Sequence, residues 1–129
     1  DGLTSGPKLF PAEPAARWTA LRRQALGDGM MGAAVMVRYE QVARPEALRW
    51  QAWAEGQMEK VNCGLRILEG EVGTFGDSCD IGLISVACAV SYLDLRFPDH
   101  DAGDRARRAE LTRQRPGDRF RTRLPRSRV

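Results

Sequence analysis

Apolar positions recur at three- and four-residue spacing along three stretches of the chain, and this spacing predicts three helices. The first runs from Pro14 to about Ala43, with Trp18, Leu21, Ala25, Met30, Ala33, Met36 and Val37 as its inward stripe. Glu13-Pro14 opens it, since proline suits the first turn and an acid suits the positive helix end. Gly27, Gly29 and Gly32 interrupt it, each at a cost of about 0.5–1 kcal/mol relative to Ala. Such a cluster marks a bend, a tight helix crossing, or room for a ligand against the backbone. Arg44-Pro45-Glu46 separates this helix from the next, because a residue before proline is pushed out of the helical region. Ala54, Met58, Val61, Leu65, Leu68 and Val72 then form the most regular stripe in the chain, within a helix expected from about Glu46 to Val72. Two long helices joined by so short a break return antiparallel.

The third helix is signalled by its cap. Asp77 is a suitable N-cap, and Asp80, three residues on, can reach back to it as in a capping box. From Ile81 no charge follows until Asp94, and Phe97-Pro98 ends the segment. A helix apolar on nearly every side is expected to be buried on nearly every side. The third helix, Cys88 included, is therefore expected at the centre, with the first two wrapped around it. Every periodic segment is helical, so the expected fold class is all-α.

Composition refines this picture. A length of 129 residues fits one domain. Residues 1–100 carry 10 basic and 13 acidic side chains, a net of −3, while residues 101–129 carry 10 Arg and 4 acids, a net of +6. The organisation expected is a helical domain over 1–100 and an irregular, Arg-rich tail over 101–129, partly disordered. The longest nearly apolar run, Ile81 to Leu93, is 13 residues, short of the roughly 20 needed to span a membrane. Cys63, Cys79 and Cys88 lack any CxxC spacing and read as reduced thiols of a cytoplasmic protein. A lone His100 excludes multi-histidine metal sites. The first residue is Asp1 and not Met, which suggests a piece of something longer.

Three stretches together resemble the helical C-terminal domain of bacterial glutathione transferases. The first is Arg17-Trp18 through Ala25-Leu26, Asp28-Gly29 and Ala33-Ala34-Val35 to Arg38-Tyr39-Glu40. The second is Arg44-Pro45-Glu46, Trp50, Trp53, Gln57, Lys60 and Leu65 through Leu68-Glu69. The third is Asp80-Ile81-Gly82, Ala87-Cys88-Ala89 and Tyr92-Leu93-Asp94-Leu95-Arg96-Phe97-Pro98-Asp99. The resemblance covers roughly residues 1–100. The sequence departs from the family at Gly27 and Gly32, and again from Ala102 onward. That ending is Arg-rich and lacks Trp, as an out-of-frame reading of a GC-rich gene would be.

The resemblance implies a bundle that follows a thioredoxin-like domain, which this sequence does not contain and which would hold the glutathione thiolate. It implies glutathione as co-substrate, a homodimeric parent protein, and no metal. It places Asp28 where some bacterial members present an acid to the partner subunit's glutathione amino group, and Met30 and Met31 on the wall of the pocket for the electrophile. An anion near an ammonium and polarizable thioethers near varied apolar substrates are both chemically sensible. Asp28 also reads as a solvated helix acid, and Met30 and Met31 as core filling. Asp77 and Asp80 read as structural caps. On its own the chain is expected to be inactive. The alternative is a non-catalytic helical scaffold, with nonspecific nucleic-acid affinity from the Arg tail. That affinity is not expected to matter, because Phe120 is the tail's one aromatic residue.

Overall fold

The computed structural model describes residue 2, residues 8–75 and residues 79–98. Asp77, His100 and the Arg-rich tail over 101–129 lie outside the described residues. Those described form three α-helices and two short 3-10 turns, with no strand among them: α1 (Pro14–Val42), a turn at Glu46–Leu48, α2 (Gln51–Glu71), a turn at Val72–Thr74, and α3 (Ile81–Arg96).

Each helix start has a local cause. Glu13 is extended, and its carboxylate accepts hydrogen bonds from the Ala15 and Ala16 amides at 2.9 and 2.6 Å. Asp80 is likewise extended and accepts from the Leu83 amide at 2.9 Å, so it is itself the N-cap of α3. The helix thus begins three residues later than a cap at Asp77 would set it. The Ile81 amide is satisfied by the Leu9 carbonyl at 3.0 Å, which ties the lead-in segment to α3. The second helix was expected from Glu46. The chain instead makes one 3-10 turn, straightens at Arg49 (φ −69°, ψ 134°), and enters α2 at Gln51. Glu40, buried near the end of α1, fixes this corner: its Oε1 accepts from the Trp50 amide and from Arg44 at 3.1 Å.

The six-residue stripe of α2 faces the core as expected. Ala54, Val61, Leu65 and Leu68 are buried, and Met58 and Val72 pack against them. They meet Met30, Ala34 and Val37 of α1 and Val86, Ala89, Val90 and Leu93 of α3.

Two expectations are corrected. First, α1 is the central element: α2 and α3 each pack extensively on it and only marginally on each other. Side-chain size is the cause. Ala20, Gly27, Ala33 and Ala34 are buried on α1 and let its neighbours close in. A Cβ on Gly27 would lie 2.7 Å from the Ser85 carbonyl carbon and 2.8 Å from the Val86 nitrogen. A Cβ on Gly82 would strike the Ala20 carbonyl oxygen. The two helices therefore touch backbone to backbone, and Gly27 marks a crossing. Second, α3 is not buried all round: Gly82, Leu83, Val86, Ala89, Val90 and Leu93 are buried, Ile81, Ile84, Ala87 and Tyr92 are half-buried, and a strip through Cys88, Ser91 and Leu95 is exposed. Cys88 is exposed, as are Cys63 and Cys79, and Leu95 is 69% exposed. Lack of charge on a helix permits burial, but only a neighbouring element imposes it.

A charged clamp closes the other end of the α1–α2 pair. Arg23 is buried, pairs with Glu71 at 3.1 Å, donates to Thr74 Oγ1 at 2.7 Å, and lies 4.6 Å from the Phe75 ring centroid. Arg22 also pairs with Glu71. Burial raises the Glu71 carboxyl pKa, but the hydrogen bonds and charges of Arg22 and Arg23 outweigh it and hold the group below its ordinary 4.5.

Gly27→Ala is expected to destabilise the fold by about 1–3 kcal/mol through backbone overpacking. At Gly29, where an added Cβ meets nothing within 4 Å, the same change should stabilise by about 0.5–1 kcal/mol. Urea unfolding of both variants checks the contrast, and equal effects would refute the crossing.

Glu71→Ala leaves buried Arg23 without its counter-charge and should cost about 3 kcal/mol. A carboxyl with a lowered folded pKa contributes stability above its unfolded value and loses it on acidification. Stability should therefore fall as the pH drops below 4.5, and Glu71→Gln should make that fall shallower. Urea midpoints between pH 3 and 6, measured on both proteins, test the sign.

Candidate functional site

The outward side of α1 carries the most distinctive surface among the described residues. Trp18 is 70%, Leu21 36%, Met36 51% and Tyr39 64% exposed. Ala25, Gly29 and Gly32 lie between them and are also exposed. These positions follow one another at three- to four-residue steps and form a single stripe of about 30 Å along the helix. Large side chains stand at both ends and almost none in the middle, so the stripe is a shallow trough with an apolar rim. The sequence stripe for α1 had merged this face with the core-facing one. Of its members, Met30, Ala33 and Val37 point inward, while Trp18, Leu21, Ala25 and Met36 point outward.

Asp28 stands at the edge of the trough, beside α3. It is exposed, and its Oδ1 accepts a hydrogen bond from the Ser85 hydroxyl at 3.1 Å. The close crossing at Gly27 makes this contact possible, since it brings the Ser85 backbone against the residue preceding Asp28. Met31, three residues on, falls on the same side of α1 and is partly buried against the core. Met30 does not share that side, because positions two apart on a helix point about 200° apart. It is 2% exposed and packs on Gly64 of α2, where no Cβ stands in its way. The structure thus brings Asp28 and Met31 together and puts Met30 in the core.

The site can offer one carboxylate, a hydroxyl that already engages it, and a long apolar wall. No group of three or more His, Cys, Asp or Glu side chains that could hold a metal occurs among the described residues. A second depression, between Val37, Ala54, Met58 and Phe97, lies across α1 from Asp28 and shares no residue with the trough. No described helix is long and apolar enough to cross a membrane.

Ser85 was not anticipated from the sequence. The signal was available, because Ser85 is the one hydroxyl between Ile81 and Val90. Arg23, Glu40 and Glu71 were also missed, since their partners lie across the α1–α2 corner or nearly fifty residues away.

No protein-family model matches the chain. Over 97 residues it is 37% identical to the uncharacterized GST-like protein YibF of Escherichia coli (strain K12), which takes in 73% of this chain and 48% of that protein. A glutathione transferase family member from Pseudomonas fluorescens Pf-5, solved with S-(propanoic acid)-glutathione bound, matches with a TM-score of 0.79 and 39% identity over 88% of this chain and 58% of its own. A glutathione S-transferase from Methylobacterium radiotolerans, in complex with glutathione sulfonate, matches with a TM-score of 0.76 and 34% identity over 91% of this chain and 55% of its own. The chain spans about half of the length of these relatives. The fold is all-helical, and along most of its own length the chain is similar to glutathione transferases and has the fold of that family's C-terminal helical domain.

Proposed function

We propose that this chain is the electrophile-side domain of a glutathione transferase-like protein, acting in the cytoplasm as part of a homodimer. It takes part in transferring glutathione to apolar electrophiles only when joined to a thioredoxin-like domain. The observation that carries this reading is the α1 trough: an exposed apolar wall with a single carboxylate at its edge. Relatives that hold glutathione or its derivatives extend well beyond the length matched here. Activation of a thiolate needs a hydrogen bond or a positive field, and in this reading the thioredoxin-like domain supplies it.

In this reading Asp28 meets the ammonium of glutathione, from the partner subunit of the dimer, through a charge-assisted hydrogen bond. Met31, on the α3 side of Asp28, and the trough on the other side of Asp28 take the electrophile, where a flexible thioether adapts to varied shapes. Met30 supports this stretch from the core side.

The test joins the chain to a thioredoxin-like domain and compares it with the chain alone. The joined protein should be retained on immobilised glutathione and should conjugate glutathione to an activated aryl halide, while the chain alone should do neither. In the joined protein, Asp28→Asn should raise the KM for glutathione about fivefold, the loss of about 1 kcal/mol, and leave the KM for the halide unchanged. Met31→Ser should do the reverse. Failure of the joined protein to bind glutathione would sink the reading. Salt-sensitive retention of RNA in its place would favour a scaffold.

A further inference from the structure

We infer that Ser85 is the positioning residue for Asp28: by holding Oδ1 against α3, it presets the carboxylate so that Oδ2 faces the ligand. This rests on the proposed reading of Asp28 and deepens it by naming the group that orders the acid.

The argument begins with what a helical hydroxyl ordinarily does. It bonds to the carbonyl four residues back, as Thr19 does to Ala15 at 3.0 Å. Ser85 has the same option toward Ile81 and instead donates across the helix boundary to Asp28 at 3.1 Å. The crossing explains the choice. Gly27 has no side chain, the backbones of α1 and α3 meet there, and the hydroxyl of Ser85 reaches the edge of the next residue on α1. With a side chain at position 27 the helices would stand further apart and the bond would open.

A second consideration concerns the acid itself. Asp28 is exposed, and this is its one side-chain hydrogen bond among the described residues. Without it the carboxylate would turn among staggered rotamers, and a ligand would have to immobilise it on binding. With one oxygen tethered, the other is presented in a single direction. Gly27 and Ser85 therefore act as a pair, one permitting the approach and the other using it.

Two measurements test this. In the 129-residue chain, NMR couplings across the Asp28 Cα–Cβ bond should report one rotamer in the wild type and averaging in Ser85→Ala and Ser85→Cys, cysteine being a near-isosteric but poor donor. In the chain joined to a thioredoxin-like domain, both variants should raise the glutathione KM about three- to tenfold. Meanwhile kcat, the KM for the electrophile and the urea midpoint should stay unchanged. Asp28→Asn combined with Ser85→Ala should be no worse than Asp28→Asn alone.

A fall in the urea midpoint with no change in glutathione KM would make the bond a structural link between helices and overturn the inference, while an effect of Asp28→Asn leaves the reading of Asp28 standing. No effect of Asp28→Asn would overturn that reading and the inference with it. A single Asp28 rotamer in Ser85→Ala would overturn the positioning claim irrespective of any affinity result.

Discussion

The backbone contact between α1 and α3 at Gly27 and Gly82 is the constraint on which the arrangement depends. Two helices normally stand 8–10 Å apart because side chains fill the space between them. Here the side chains are missing on both helices where they cross, and the main chains take up the room. That closeness makes α1 the middle element, brings the face of α3 carrying Val86, Val90 and Leu93 into the common core, and sets Ser85 beside Asp28. Core and candidate site therefore share one cause.

The remaining interactions hold the ends of this crossing. The Arg23–Glu71 clamp closes the corner where α2 ends, and Glu40 closes the corner where α2 begins. Both are ionic and both start on α1. The apolar core lies between them, and Asp80 and Leu9 together satisfy the first turn of α3. The α1–α2 pair is thus fixed at both ends by polar groups and along its length by apolar ones, so slippage of one helix on the other would break one of those contacts.

How much of this was legible in the sequence depended on whether the signal was local. The stripe of α2 was readable because all six of its members face one common core. The stripe of α1 was not, because that helix has core on two sides and an open apolar side, and periodicity alone does not separate them. The charge-free run of α3 gave the helix and most of its burial but not the exposed strip, which Cys88 shows. Asp80 was legible as a cap because a cap and its amide lie within one turn. Asp28 was distinguished only by resemblance, and Ser85 not at all, since their pairing depends on helix spacing that glycine determines.

One consequence of the central position of α1 concerns what evolution can do with it. The helix carries core contacts on two sides and the open trough on a third, all on one rigid rod. Inserting a single residue between Gly27 and Ala33 would rotate everything beyond it by about 100°. That would bury Met36 and Tyr39 and expel Ala34 and Val37, so this stretch can vary in side chain but not in length. Diversification of the trough is thereby confined to swapping residues at fixed addresses such as 29, 32 and 36, where new side chains reach open space without disturbing the crossing.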